Sequence, residues 1–292
     1  MFTRRVAISL MGSASVAMWL NAAGRKDPAD STGSPALAPG SPTSPERLAL
    51  VEAFRKQSED LEKSFEAHTH ENDWVMPYRL FRPAAKGKLP LVLYLHGSGG
   101  VGDDNEKQLS LGNVFGTRVW LLPENQKHFP CYVLAPQTDR GWVRYAAGEG
   151  GGVATPVTGL GDGAKHAMEI VDGLVRDLPI DRRRIYVTGQ SMGGAGVWNM
   201  LAHRPELFAG AVICCGGSSL DDGSGGVDVP VWNFHGDSDQ AVPVSISRDR
   251  MIARRKAGGH PIYTEYKGVD HNVWQWAYTE PGLLNWLFAR HR

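Results

Sequence analysis

Ile185-Tyr186-Val187-Thr188-Gly189-Gln190-Ser191-Met192-Gly193-Gly194-Ala195-Gly196-Val197 reads as a buried strand, a sharp turn and the opening of a helix. The turn has the form G-x-S-x-G, and the strand before it and helix after it are the context in which such a turn lifts a serine hydroxyl above a sheet edge. Glycine is expected at 189 and 193 because a Cβ there would collide with the neighbouring strand or helix. Ser191 is therefore the expected nucleophile, against the plainer reading of an ordinary glycine-rich turn.

Around this stretch the chain alternates. Strands are expected over 74–81, 90–95, 131–135, 185–188, 209–214, 230–235 and 262–267, and helices near 163–177, 193–203, 245–257 and 281–289. Such alternation predicts an α/β fold, a mostly parallel central sheet with helices on both faces. Ligands in these sheets sit at the carboxyl ends of the strands, so residues just after a strand are the ones to inspect.

Leu91-Val92-Leu93-Tyr94-Leu95 runs directly into His96-Gly97-Ser98-Gly99-Gly100. Amides exposed by that turn, with the amide after the serine, are suited to hold a developing oxyanion, which selects the N–H groups of Ser98 and Met192. A phosphate-binding loop is the rival reading, but no Gly-Lys-Ser/Thr follows. His96 is expected to brace the turn rather than take a proton.

The proton acceptor is expected to be His271. It follows the strand ending at Tyr266, whereas His260 precedes that strand and His291 sits at the fraying terminus. The acid belongs in the loop after Val231-Trp232-Asn233-Phe234-His235, where Asp237 and Asp239 are both available and spacing does not separate them. Asp221 and Asp222 fall in a Gly/Ser-rich turn, and Asp270 adjoins His271 and is expected to point away from its ring.

Four motifs now stand in order: Leu95-His96-Gly97-Ser98-Gly99-Gly100; residues 184–194; His235-Gly236-Asp237-Ser238-Asp239-Gln240-Ala241-Val242-Pro243; and the ending with His271, Trp274, Tyr278 and Trp286. Over roughly residues 74–290 the chain resembles the α/β-hydrolase esterases. More narrowly it resembles the bacterial secreted group of feruloyl and acetyl xylan esterases, polyhydroxybutyrate-depolymerase-like enzymes and predicted peptidases. The resemblance implies Asp239 as the acid, from the family's Gly-x-x-Asp-x-x-Val-Pro, with Asp237 the runner-up. It further implies a serine esterase that forms an acyl-enzyme through Ser191, His271 and Asp239, on a small or polymer-linked ester, with no metal or organic cofactor. A peptidase or thioesterase with the same three residues, or a non-catalytic envelope-associated binding module, are the alternatives. Trp142 and Trp274 are expected to line the substrate pocket, the alternative for Trp142 being a packing role beneath its loop.

Balanced charge, 31 Lys+Arg against 31 Asp+Glu in 292 residues, gives no reason to expect nucleic acid or an anionic surface as partner. Thr3-Arg4-Arg5 followed by an uncharged stretch to residue 24 reads as an export signal resembling the twin-arginine type, with a membrane anchor as the reading if it is uncleaved. The mature chain is expected to be periplasmic or extracellular and without a membrane span, its oligomeric state left open. Residues 25–46, rich in Pro, Ser and Ala, read as a linker, and 47–292 as the catalytic domain, opening on an amphipathic helix over 47–67. Cys131, Cys214 and Cys215 cannot make a closed disulfide framework and are expected as buried thiols.

Overall fold

The computed structural model describes residues 42, 44–146, 155–217 and 224–292. The expected export signal, most of the expected linker, Asp221, Asp222 and part of the glycine-rich run 148–163 lie outside them.

In chain order the strands are β1 (Glu66–Glu71), β2 (Val75–Phe81), β3 (Leu89–Leu95), β4 (Tyr132–Pro136), β5 (Val143–Ala146), β6 (Thr155–Leu160), β7 (Ile180–Gln190), β8 (Gly210–Cys214), β9 (Val231–Gly236) and β10 (Ile262–Tyr266). The hairpin β5–β6 stands apart, and the others form one 8-stranded sheet in the order β1-β2-β4-β3-β7-β8-β9-β10. The pairings of β1 with β2 and of β2 with β4 are antiparallel, and all those from β4 to β10 are parallel. Every strand the sequence predicts is present, with ends shifted by a few residues at most, except that β7 begins earlier.

The helices are α1 (Pro45–Gln57), α2 (Asn113–Arg118), α3 (Pro123–His128), α4 (Asp162–Asp177), α5 (Met192–His203), α6 (Val244–Lys256), α7 (Trp274–Ala277) and α8 (Leu283–Phe288). Strand alternation divides the core between the two sheet faces. Leu91, Leu93 and Leu95 of β3 and Ile213 of β8 pack with Ala167, Val171, Val197 and Met251 from α4, α5 and α6. Val92 and Tyr94, with Val212 and Cys214, face the other way onto Phe54, Phe115, Trp276 and Leu284 from α1, α2, α7 and α8. Because both faces are covered, central strands such as β3 are apolar throughout rather than alternating.

The helix expected over 47–67 needs correction. It begins at Pro45, where the Ser44 Oγ accepts the Arg47 N–H at 3.3 Å, and ends at Gln57. Asp60, at φ 63, breaks the helical path, a 3-10 turn spans Leu61–Ser64, and the next residues pair with β2 as an edge strand. The polar alternation of Glu66-Ala67-His68-Thr69-His70-Glu71 suits an edge strand half open to water. α1 is pinned through Arg47, whose guanidinium donates to Trp276 O at 2.8 Å, Thr279 O at 3.1 Å and Glu280 Oε2 at 3.0 Å. Tyr266 donates to the same Glu280 oxygen at 2.6 Å, so this buried carboxylate is neutralised and hydrogen-bonded on arrival.

Candidate active site

Four parallel strands end along one edge, and each delivers one part of the site there. β7 delivers Ser191 with φ 53 and ψ −118, a left-handed backbone strained for any residue with a side chain. Ser191 N–H donates to Cys214 O at 2.9 Å and Gly217 N–H to Ser191 O at 3.2 Å, so the end of β8 grips the turn from both sides.

The close approach predicted for the two glycines is present. A Cβ on Gly193 would stand 2.0 Å from Leu95 O, and one on Gly189 would stand 2.6 Å from Gly193 O. Gly193→Ala is expected to destabilise the protein by about 3 kcal/mol, read as a lower urea midpoint, because the obstacle is backbone that cannot swing aside. A midpoint unchanged from wild type would contradict this packing.

β10 leads through a short loop to His271. Its Nδ1 lies 2.8 Å from Asp239 Oδ2 and its Nε2 lies 2.8 Å from Ser191 Oγ. A carboxylate accepts only, so Nδ1 carries the proton and Nε2 is left to accept from the serine hydroxyl. Asp239 is nearly buried and saturated: Oδ1 accepts the amides of Ala241 and Val242, both at 2.8 Å. Asp237 instead caps its loop, accepting the Gly268 N–H at 2.6 Å and the Ser238 hydroxyl at 2.8 Å. Asp270 likewise accepts backbone amides, from Gln240 at 3.0 Å and His271 at 2.7 Å.

One residue of this network escapes sequence reasoning. His235, the last side chain of β9, sets its Nε2 3.2 Å from Asp239 Oδ2 and 3.0 Å from Val242 O, and its Nδ1 2.7 Å from Ser247 Oγ. Both partners of Nε2 are acceptors, so the proton sits on Nε2 and Ser247 donates to Nδ1. Burial pushes the His235 pKa below its ordinary value, which keeps the ring neutral beside the Asp239 carboxylate. The signal was the His that opens His235-Gly236-Asp237-Ser238-Asp239, which reads from sequence as the end of an apolar strand.

Ser98 opens a 3-10 turn and Met192 opens α5, positions whose N–H groups have no intrahelical acceptor. The turn is braced from below. Gly97 N–H donates to Asn113 Oδ1 at 3.1 Å, and Tyr94 OH lies 2.9 Å from Asn113 Oδ1 and 3.1 Å from Gln190 Oε1, with one proton to share between them. His96 is wholly buried, donating from Nδ1 to Gly97 O at 2.8 Å and accepting the Thr138 N–H on Nε2 at 3.1 Å.

Burial lowers the His96 pKa from 6.5 to about 4. Between those values the unfolded chain takes up a proton that the folded chain refuses, so this contribution to stability is full above pH 6.5 and lost as the pH falls toward 4. Unfolding free energy measured across that range is expected to decline with acid, and less steeply in His96→Asn.

Trp142 requires correction as a pocket residue. It is 0% exposed, its Nε1 donates to His96 O at 2.9 Å, and its ring meets His96 edge-on at 4.9 Å. Gly196 makes room for it on α5, where a Cβ would stand 2.4 Å from Trp142 Cβ. Trp142 is thus a strut beneath the glycine turn. Trp274, half-buried, meets the His271 ring edge-on at 5.5 Å.

Among the described residues, Cys215, Asp239 and His271 bring donor atoms within 4.8 Å, as a metal site would. Here the donors are already engaged: His271 and Asp239 bond each other, and burial raises the Cys215 pKa, so the thiol stays protonated and donates to His271 O at 3.4 Å. What remains is a hydroxyl on an oriented imidazole, with the Ser98 and Met192 amides at the turns that follow two paired strands, β3 and β7.

No protein-family model matches the chain. A thermostable esterase of known crystal structure is 34% identical, covering 80% of this chain and 64% of that one, with a TM-score of 0.70. An uncharacterized secreted protein of Arthroderma benhamiae is 26% identical over 212 residues, 68% of this chain and 20% of its own length. A bifunctional acetylxylan esterase/xylanase of Neocallimastix patriciarum is 26% identical over 163 residues, 50% of this chain and 24% of its own length. The chain thus spans under a quarter of the length of these two curated relatives.

Proposed function

We propose, from the premise that this chain has the α/β-hydrolase fold and resembles esterases of that fold, that it is a serine hydrolase of carboxylic esters. The observation that carries the reading is the unbroken path Ser191 Oγ, His271 Nε2, His271 Nδ1, Asp239 Oδ2, with both links at 2.8 Å.

In this reading His271 takes the Ser191 proton as Oγ attacks the ester carbonyl, and Asp239 stabilises the imidazolium and fixes its tautomer. The amides of Ser98 and Met192 hold the tetrahedral oxyanion, His271 protonates the departing alcohol, and water repeats the sequence on the acyl-enzyme. Trp274 borders the acyl or alcohol side. The substrate is a small or polymer-linked ester, a class supported by the acetylxylan esterase relative. Export of a mature domain beginning near residue 47, behind a signal over 1–24 and a linker over 25–46, is supported by Arg4-Arg5 and by the secreted relative.

Hydrolysis of short p-nitrophenyl esters, a feruloyl ester and a peptide amide, each with Ser191→Ala as control, tests the assignment. Turnover of an ester that disappears in the variant is expected. Cleavage of the amide alone would make the protein a peptidase, and turnover of none would leave the fold without this activity.

A further inference from the structure

Away from Ser191, the edge strand β1 meets helix α4 through a cluster that the ester chemistry does not use. His166 and Glu169 lie three residues apart on α4 and so share one face, and His70 reaches them from β1. One donor atom from each lies within 4.8 Å of the others. His70 Nε2 is 3.1 Å from Glu169 Oε2, close to the roughly 3.3 Å that separates two ligands held tetrahedrally about 2.0 Å from a zinc ion.

A second observation points to a ligand. His166 is 1% exposed, and its Nδ1 is buried with no hydrogen-bond partner among the described residues. Polar atoms so placed are normally satisfied, and His166, one of whose ring nitrogens lies within 4.8 Å of a Glu169 oxygen and a His70 nitrogen, offers an unpartnered buried nitrogen in a cluster that a metal ion would satisfy. Packing holds that ring in place: Trp74 lies over it at 4.7 Å and His70 meets it edge-on at 5.6 Å. Glu169 is positioned by Asn72 Nδ2, donating to Oε2 at 3.0 Å, while Lys165 Nζ stands 3.9 Å from Oε1 and 3.5 Å from Asp73. The side chains of His70 and Glu169 are 26% and 30% exposed, leaving an entry path and room for water as a fourth ligand.

The geometry points to a divalent transition-metal site, of the zinc class, formed by His70, His166 and Glu169, which clips the edge strand β1 to α4. Two imidazoles and one carboxylate suit zinc rather than calcium or magnesium, whose ligands are oxygens. When Nε2 of His70 ligates the metal, the proton it shares with Glu169 moves to Nδ1 of the same neutral ring, leaving the carboxylate free to ligate.

The test uses untagged protein, stripped with EDTA and titrated calorimetrically with zinc chloride, and in parallel with cobalt(II) followed by visible absorption. One equivalent of zinc, a cobalt spectrum of low coordination number and a rise in Tm of roughly 5 °C at saturating zinc are expected. His70→Ala and Glu169→Gln, at partly exposed positions where folding should survive, should each weaken zinc binding by at least about 100-fold while keeping esterase activity. His271→Ala should leave zinc binding intact. Absence of stoichiometric binding, equal binding by wild type and both cluster variants, or loss only in His271→Ala would overturn the site.

Discussion

Ser191→Ala is expected to lower kcat for ester hydrolysis by about 10⁶, to the residual rate that the oxyanion donors and substrate binding supply. The size follows from what the hydroxyl does: without Oγ there is no acyl-enzyme, and the imidazole can at best assist a water that the site is not built to hold. His271→Ala should be nearly as damaging, and the double variant little worse than either, because the two residues act as one unit. Thermal unfolding should change little, since alanine keeps the positive-φ backbone and the hydroxyl makes a single hydrogen bond to His271. Activity within tenfold of wild type in either variant would be incompatible with the mechanism.

Asp239→Asn should lower kcat by about 10⁴ with the fold retained. The two amides donating to Oδ1 cannot give up their protons, whereas the imidazoles of His271 and His235 at Oδ2 can shift theirs, so the amide oxygen should stay at Oδ1 and the NH₂ turn toward the two rings. It would then face the Nδ1 proton, and the favourable response is to move that proton to Nε2, where it blocks acceptance from Ser191. Steady-state kinetics should therefore show a loss in kcat rather than a rise in KM. Asp237→Asn is the matched control: its carboxylate serves Gly268 and Ser238, and it should keep kcat within about tenfold. A reversal of the two results would move the acid to Asp237.

The parallel half of the sheet is legible in the sequence because burial on both faces turns its strands into apolar runs that end at glycine turns, as at Leu95-His96-Gly97 and Thr188-Gly189. The edge strand was not legible for the complementary reason. Glu66-Ala67-His68-Thr69-His70-Glu71 buries little, and the apolar spacing of Phe54, Leu61 and Phe65 extends a helical reading across the break at Asp60. Position after a strand places Ser191 and His271 at one edge, where the structure has them in contact, but it leaves Asp237 level with Asp239. The difference between them lies in which backbone amides each carboxylate meets, and spacing does not carry that. Trp142 shows the opposite failure. An aromatic residue just beyond a strand end looks like a pocket wall until Gly196 on a separate helix is seen to open the space that buries it. His235 was hidden in the same way, since its value comes from a loop folding back so that Asp239 and Val242 both stand over its ring.

The most direct test is covalent. Treating the protein with a fluorophosphonate and locating the adduct by peptide mass spectrometry asks whether one serine is activated and which one. A single stoichiometric adduct on Ser191, absent in Ser191→Ala and formed far more slowly in His271→Ala, is the predicted result. No adduct on the folded protein, or labelling at another residue that persists in Ser191→Ala, would contradict it.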